Sequence, residues 1–146
     1  MTDEFDTARR DARITGTVSF QLLTAVNRLT RPFHTLYGKR FGVGLSEWRC
    51  MMALAAAPGA SGEDVAETMG MDRMTVSRTL RRLEAGGHAL RGPDPAHGRR
   101  NRWRLTERGW SVVDAVLPQA LERDRTLFGD ASPDERAALT RLLSRT

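Results

Sequence analysis

Apolar residues recur at helical spacing along most of this chain, and the most informative stretch spans residues 72–86. Asp72 is a favourable N-cap residue, and Gly86-Gly87 supplies the glycine that commonly ends a helix in the left-handed conformation. The apolar stripe of this helix consists of Val76, Leu80 and Leu83. Because arginines and small polar residues lie on the opposite face, the pattern predicts a short helix with one packed and one polar face.

Three more helices are predicted before this stretch. Residues 16–40 have apolar positions typical of one long amphipathic helix, which we expect to kink near Pro32 because proline removes a hydrogen bond. Ser46 is predicted to cap a second helix that ends by Pro58.

Ser61 is predicted to cap the third helix, which is short and ends at Gly70. This capped helix, the turn through Gly70 and the helix 72–86 form a helix-turn-helix arrangement. The second helix of such a pair conventionally lies in the major groove of DNA.

Beyond Gly87 the pattern of apolar residues becomes alternating, which is typical of strands. Residues 88–91 predict a short strand, and residues 92–98 predict a loop. Residues 100–105 predict a second strand with Trp103 and Leu105 facing inward. The two strands predict a β-hairpin, here called the wing, with arginines on its outer face.

Two helices are predicted to follow the wing. Thr106 caps the first, and its apolar pattern is interrupted at Pro118. Ser132 and Glu135 form a capping box for the last helix, with proline at its first position. The predicted fold class is therefore mainly α with a small β-hairpin wing (α+β).

Composition indicates an ordinary globular protein. The 146 residues fit one domain with appended helices. No run approaches the roughly 18 apolar residues of a membrane span, and the acidic start does not resemble a signal peptide. A single cysteine, Cys50, excludes an intrachain disulfide framework. We therefore expect a cytoplasmic protein that has no membrane partner.

The net charge of +5 is unevenly distributed along the chain. The segment from Arg73 to Arg108 contains ten arginines and three acidic residues, whereas the rest of the chain is net acidic. Basic patches of this kind usually bind phosphate groups. Arginine on a helix also recognises guanine edges in the major groove, and threonine or methionine can touch a thymine methyl group. Double-stranded DNA is therefore the expected partner.

The predicted DNA contacts fall into two groups. The base-contacting residues of the helix 72–86 are Arg73, Met74, Thr75, Ser77 and Arg78. The residues predicted to hold the DNA backbone or to act with the wing are Arg81, Arg82, His97, Arg99, Arg100 and Arg102. The alternative interpretation is a helix with solvated arginines beside a hairpin that has no partner.

The sequence does not predict an enzyme. No glycine-rich phosphate loop follows a strand, no histidine pair has metal-ligand spacing, and no serine or cysteine lies in a nucleophile motif. We expect no catalytic residues, no metal site and no cofactor.

Six short segments form a specific series by their order and spacing. They are LSEWR (45–49), GEDVA (62–66), MDRMTVSR (71–78), RLE (82–84), PDP (93–95) and LTERG (105–109). This series resembles the MarR family of winged-helix transcription regulators. The resemblance implies a ligand-responsive repressor that acts as a homodimer on a palindromic operator. In each protomer it would place the recognition helix 72–86 in the major groove and the wing 91–102 in the minor groove.

The resemblance also divides the chain. It implies a DNA-binding lobe at residues 41–106 and a helical dimerisation region at 15–40 and 107–146, and the polar residues 1–14 predict a flexible segment. The apolar stripes of the dimerisation region support a partner chain independently, because the small lobe could not cover them alone.

The wing departs from the family pattern at its tip. Members of the family often have Asp-Arg-Arg or Asp-Gly-Arg there, whereas this chain has His97-Gly98-Arg99. Arg99 would keep the minor-groove role, but the aspartate that steadies it is replaced by His97. Either Asp94 takes over that function, or the tip is looser and binds more weakly.

The resemblance further implies a cleft for a small aromatic or carboxylate effector. Its predicted lining residues are Arg28, Arg31, His34, Tyr37 and Arg49, although these could equally be ordinary interface and surface groups. Two alternative functions remain: a sequence-tolerant DNA-coating protein, and a redox-sensing regulator that uses Cys50. A buried, structural thiol is the competing interpretation of Cys50.

Overall fold

The structure is a computed structural model that describes residues 15–98 and 100–145. The predicted flexible segment 1–14 and the wing residue Arg99 lie outside the described residues. The elements in chain order are α1 (Val18–Pro32), a π-helical segment (Phe33–Tyr37), α2 (Gly38–Phe41), α3 (Leu45–Ala56), β1 (Ala60–Ser61), α4 (Gly62–Met69), α5 (Arg73–Ala85), β2 (Ala89–Pro93), β3 (Asn101–Leu105), α6 (Glu107–Phe128) and α7 (Pro133–Leu143). The prediction of a mainly helical fold with a small β wing is confirmed.

The first helical stretch changes geometry where the sequence predicts a kink. α1 ends at Pro32, and the next five residues form the π-helical segment before α2 begins. Proline lacks the backbone N–H that a regular α-helix needs at this point. α2 ends at Phe41 because Gly42 adopts a left-handed φ of 65°.

The start of α3 differs from the prediction. Its N-cap is Gly44, whose carbonyl accepts a hydrogen bond from the Trp48 N–H at 2.9 Å, and Ser46 lies inside the first turn. The prediction that Ser46 caps this helix was therefore wrong. Glu47 lies in the same turn, where a negative charge interacts favourably with the helix dipole, so a side-chain cap is not required.

The helix-turn-helix follows the sequence closely. Ser61 caps α4 in a capping box with Asp64, and Gly70 ends the helix with a φ of 59°. The Asp72 carboxylate accepts the Thr75 N–H at 2.8 Å and caps α5. The predicted stripe is buried, and Thr79 is buried with it. α5 therefore packs one face against the core and presents the other outward.

The sheet has three antiparallel strands in the order β1-β3-β2. The short strand β1 was not predicted, and it pairs with Arg102 and Trp103 of β3. Strand β2 begins at Ala89 and continues through Pro93, so the prediction of a strand at 88–91 and a loop from residue 92 was wrong by one or two residues at each end. The cause is the pairing of Gly92 and Pro93 with β3, a long-range contact that overrides their preference for loops.

Helix α6 runs without interruption through Pro118. The predicted interruption of the helix at this residue was therefore wrong. Leu117 and Ala120 pack against the buried core on either side of the proline, and this packing holds the helix together despite one missing hydrogen bond. The predicted cap Thr106 is confirmed, since its hydroxyl accepts the Gly109 N–H at 3.1 Å.

The core lies between α3, α4, α5, the sheet and the first half of α6. Its largest fully buried side chains are Met51, Leu54, Leu80, Leu83, Val65, Val76 and Val116. By contrast, α1 and α7 contain no buried residue in the part of the chain that the structure describes. None of the described helices is long and apolar enough to cross a membrane.

Candidate nucleic-acid interface

The exposed face of α5 begins at its N-terminus. Met74 is 69% exposed, and Ser77 and Arg78 are exposed beside it. Arg78 Nε donates to the Met74 carbonyl at 3.4 Å, and no carboxylate pairs with Arg78 among the described residues. Thr75 is half-buried, its backbone N–H donates to Asp72, and its carbonyl accepts the Thr79 hydroxyl. Met74, Ser77 and Arg78 are therefore the residues most available to a ligand in front of this helix.

Arg73, another predicted base contact, has a partner inside the protein. Its guanidinium donates to the Glu63 carboxylate on α4, and the second oxygen of Glu63 lies 3.6 Å from Arg100 Nη2 at the base of the wing. One carboxylate thus contacts both the recognition helix and the wing. The sequence did not predict this arrangement.

The two arginines in the next turn of α5 have different surroundings. Arg82 Nε donates to Glu47 of α3 at 2.7 Å, and its Nη2 lies 3.3 Å from the Thr79 hydroxyl. Arg82 was predicted to hold phosphate or to pack against the wing. It pairs with Glu47 of α3 and not with the wing, and its phosphate contact stays a prediction. Arg81 is exposed and has no ion-pair partner within residues 15–98 and 100–145.

Asp94 organises the wing. Its buried carboxylate accepts the Ala96 N–H at 2.9 Å and lies 3.0 Å from Arg102 Nε. The Ala96 hydrogen bond, followed by Arg102, lowers the pKa of Asp94 below its usual value, against the opposing effect of burial. Asp94 therefore holds Arg102 of β3. Arg99 lies outside the described residues, so the choice between a steadying Asp94 and a looser tip stays open.

The remaining wing residues form a short connection between the strands. The His97 N–H donates to the Asp94 carbonyl at 3.2 Å, and the Arg100 N–H donates to the His97 carbonyl at 2.7 Å. Both side chains are exposed. Arg102 is additionally bound to the Gly59 carbonyl at 3.0 Å, so it stabilises the wing internally.

A cleft of about 310 Å³ separates α5 from the sheet. Four arginines line it, together with Ser77, Asn101 and Glu63. These arginines are Arg73, Arg81, Arg91 and Arg100. The excess of positive charge makes this cleft suitable for phosphate groups.

A second cavity of about 330 Å³ lies between the first helical stretch, α3 and α6. Of the five predicted effector residues, Tyr37 and Arg49 line it, whereas Arg28, Arg31 and His34 do not. These three side chains are exposed, and their place in an effector site stays a prediction from the sequence. The lining residues that the sequence did not predict include Phe33, Trp48, Arg123, Asp124 and Phe128.

Hydrogen bonds connect this cavity to its surroundings. Arg49 Nη2 donates to the Met69 carbonyl at the end of α4 at 2.8 Å. The Tyr37 hydroxyl donates to Gln119 Oε1 at 3.2 Å, and Arg123 Nη2 donates to the Arg28 carbonyl at 2.8 Å. Phe33 stacks on Trp48 with ring centroids 5.6 Å apart. The cavity therefore combines aromatic walls with guanidinium groups.

Cys50 is fully buried in α3. Burial, reinforced by the negative charge of Glu47, raises the pKa of its thiol to about 11. A thiolate is therefore scarce near neutral pH, which agrees with a structural thiol. No group of three or more His, Cys, Asp or Glu side chains suited to a metal ion occurs among residues 15–98 and 100–145.

Comparison with known proteins finds similarity to one family. A profile of the MarR family matches residues 41–100. The crystal structure of a MarR/EmrR family transcriptional regulator from Acinetobacter sp. ADP1 is 28% identical and superposes with a TM-score of 0.76, covering 87% of this chain and 89% of that one. The chain is therefore similar to the MarR family in its DNA-binding lobe and has the same fold as a solved regulator of that family.

A second solved structure is similar over most of its length. BpsR of Bordetella bronchiseptica is 27% identical with a TM-score of 0.72, over 88% of this chain and 96% of that one. The DNA binding of BpsR is regulated by 6-hydroxynicotinic acid. The solved structures that this chain resembles over most of its length are thus a transcriptional regulator and a DNA-binding protein.

One curated relative has a different activity. The phenylalanine–tRNA ligase alpha subunit of Methanopyrus kandleri is 40% identical over 72 residues, which is 49% of this chain. The chain spans only 13% of the length of that protein. The similarity is therefore confined to a short part of a much longer enzyme.

Proposed function

We propose that this chain is a regulator of the MarR type that binds double-stranded DNA sequence-specifically, as a homodimer on a palindromic operator. The recognition helix at residues 72–86 would enter the major groove, and the wing at residues 91–102 would enter the minor groove. The observation that carries the proposal is the polar, exposed N-terminal face of a capped α5, directly beside an arginine-lined wing.

We assign base contacts first to the side chains that are exposed and not paired with a carboxylate. Met74, Ser77 and Arg78 meet this condition, and Arg78 can form a bidentate pair with guanine. Arg73 would first have to leave Glu63, and Thr75 can offer only a partly exposed side chain.

Backbone contacts are assigned to exposed arginines around the cleft. Arg81 and Arg100 face the groove between α5 and the wing, where phosphate groups would pass. Arg82 and Arg102 are held by Glu47 and Asp94, so their part in phosphate binding would be smaller. Minor-groove insertion of Arg99 stays a prediction from the sequence.

Homodimerisation is proposed from the apolar surface that one chain leaves exposed. α1, α6 and α7 present large apolar side chains to solvent, which is unfavourable for a single chain in water. They are Val18, Phe20, Leu23, Val26, Trp110, Leu121, Leu127, Leu139, Leu142 and Leu143. A second copy of the chain could cover these faces, and it would set two recognition helices about one DNA turn apart, roughly 34 Å.

Selection of bound duplexes from random DNA tests this function. We expect an enriched palindrome, protection of two half-sites in footprinting, and a dimer in sedimentation. A sequence-specific regulator keeps a large preference for the selected site against random competitor DNA, whereas a DNA-coating protein does not. The absence of any enriched sequence would contradict the proposal.

We further propose that a small aromatic acid regulates this binding from the 330 Å³ cavity. Its aromatic walls suit a ring, and Arg49 and Arg123 suit a carboxylate. Because BpsR is regulated by 6-hydroxynicotinic acid, that compound and benzoate are suitable first ligands. Either compound should weaken the complex with the selected duplex. Unchanged DNA affinity and no calorimetric binding for both would argue against this site.

The redox alternative has less support. A thiol that is fully buried and has a raised pKa is a poor peroxide target. We therefore do not assign a regulatory function to Cys50.

A further inference from the structure

The first helix of the helix-turn-helix carries a carboxylate that contacts both DNA-facing elements. Glu63 lies in the first turn of α4. Its Oε1 accepts a hydrogen bond from Arg73 of α5, and its Oε2 lies 3.6 Å from Arg100 at the base of the wing. One carboxylate therefore pairs with two of the arginines that line the cleft.

Glu63 lies where a DNA phosphate would be favoured. Arg73 is the first residue of α5, and the first turn of this helix contains no acidic residue. The helix dipole and the Arg73 guanidinium favour negative charge at this end, and the capping Asp72 carboxylate offsets only part of this attraction. The carboxylate of Glu63 and a backbone phosphate would be attracted there for the same physical reason.

Both ion pairs are exposed to solvent. The side chains of Arg73, Glu63 and Arg100 are 76%, 43% and 57% exposed. Exposed ion pairs contribute little to stability and are screened by salt, so they open readily. A phosphate can therefore replace the carboxylate, but each replacement separates an existing pair of charges.

We propose that Glu63 limits the sequence-independent affinity for DNA by holding Arg73 and Arg100. The inference rests on the proposed DNA binding. In the free protein Glu63 satisfies both arginines, and a phosphate has to displace it before either guanidinium becomes a ligand. Removing the negative charge at this position would release both arginines to the DNA backbone.

Glu63→Gln tests the proposal, because it removes the charge and keeps the shape. Binding of the full chain to a random-sequence duplex is measured at several salt concentrations from about 50 to 200 mM. We expect tighter binding and a steeper dependence on salt, by about 0.9 in log–log slope for each released arginine. As the salt concentration rises over this fourfold range, the ratio of the variant's DNA affinity to that of the wild type should fall about threefold for each released arginine.

Glu67→Gln is the matched control. Glu67 lies one turn further along α4, is exposed, and has no ion-pair partner among the described residues. The Glu67→Gln substitution changes the net charge by the same amount as Glu63→Gln, but it releases no arginine. The salt slope of Glu67→Gln should therefore stay close to that of the wild type. Combining Glu63→Gln with Arg73→Ala should remove about half of the gain in slope.

The outcomes separate this inference from the proposed function. If Glu63→Gln has the slope of the wild type or of Glu67→Gln, Glu63 does not restrain the arginines. Weaker binding by Glu63→Gln would mean that the carboxylate orients them for DNA, which also overturns the proposal. If the folded wild type does not bind the random duplex at low salt, the proposed function fails first. Circular dichroism melting of each variant confirms that all comparisons use folded protein.

Discussion

The start of α6 approaches His88, the residue before β2, so closely that no side chain fits between them. A Cβ added to Gly109 would lie 2.1 Å from the carbonyl oxygen of His88 and 3.1 Å from its carbonyl carbon. The neighbouring Leu105 Cβ would be 3.3 Å away. We therefore predict that Gly109→Ala destabilises the protein, although alanine is normally the better helix former.

Hydrogen bonds prevent the backbone from moving aside. The carbonyl of His88 also accepts the Thr106 N–H at 3.0 Å. Thr106 caps α6 through the Gly109 N–H, and its hydroxyl donates to the Gly87 carbonyl at 2.6 Å. Moving α6 away from this segment would stretch the two hydrogen bonds that Thr106 makes to His88 and Gly87.

The change in the free energy of unfolding that Gly109→Ala causes is the sum of opposing contributions. In an unobstructed helix, glycine to alanine would stabilise by about 1 kcal/mol. Forcing an extra methyl group into a filled site costs about 1 to 3 kcal/mol, and weakening one hydrogen bond adds about 0.5 to 1.5 kcal/mol. The expected net loss is about 0.5 to 3.5 kcal/mol in the free energy of unfolding.

Urea denaturation at one fixed protein concentration measures this loss. Gly92→Ala is the control, because its added Cβ would meet no atom within 4 Å. That variant should be as stable as the wild type. A Gly109→Ala protein that matches or exceeds the wild type in stability would refute the steric argument.

Three other predictions concern single side chains. Arg78→Ala should cost about 1 to 3 kcal/mol in affinity for the selected duplex and relax the sequence preference at one base pair. An equal loss of affinity for all DNA sequences would instead indicate a phosphate contact. The folded protein should not react with iodoacetamide at pH 8, because burial raises the pKa of Cys50 to about 11; alkylation at the rate of a free thiol would contradict the buried position. The folded-state pKa of Asp94 is lowered, so its stabilisation of the wing is fully present above about pH 4 and is lost as the pH falls through that folded-state pKa. Hydrogen exchange of the Ala96 amide should show this acid dependence in the wild type, and Asp94→Asn should abolish it.

The parts of the fold that depend on local chemistry were predictable from the sequence. The caps Ser61, Asp72, Thr106 and Ser132 each bond a backbone N–H three residues ahead, so neighbouring residues determine them. The prediction at Pro118 failed because packing of α6 against the core outweighs a local helix breaker. The short strand β1 was missed for a similar reason, since it exists only through pairing with β3.

The candidate site was predictable in its outline but not in its pairing of charges. Helical periodicity separates the buried and exposed faces of α5, and the burial of Val76, Leu80 and Leu83 follows from it. The partner of Arg82 is 35 residues away in the sequence, and the partner of Arg73 is ten residues away. No local rule connects such positions, because the packing of α3 and α4 against α5 brings them together.

This pairing of charges changes how the arginine-rich segment is expected to bind DNA. Counted from the sequence, the ten arginines between residues 73 and 108 suggest a surface that binds phosphate wherever it meets DNA. In the structure, five of the nine described ones pair with a carboxylate. They are Arg73, Arg82, Arg91, Arg100 and Arg102. The unpaired charge on α5 is thereby confined to Arg78 and Arg81, which lie between the predicted base contacts and the cleft. A surface with few unpaired cations has a lower affinity for the phosphates of DNA of any sequence. Base contacts should therefore contribute a larger share of the preference for one binding site over another.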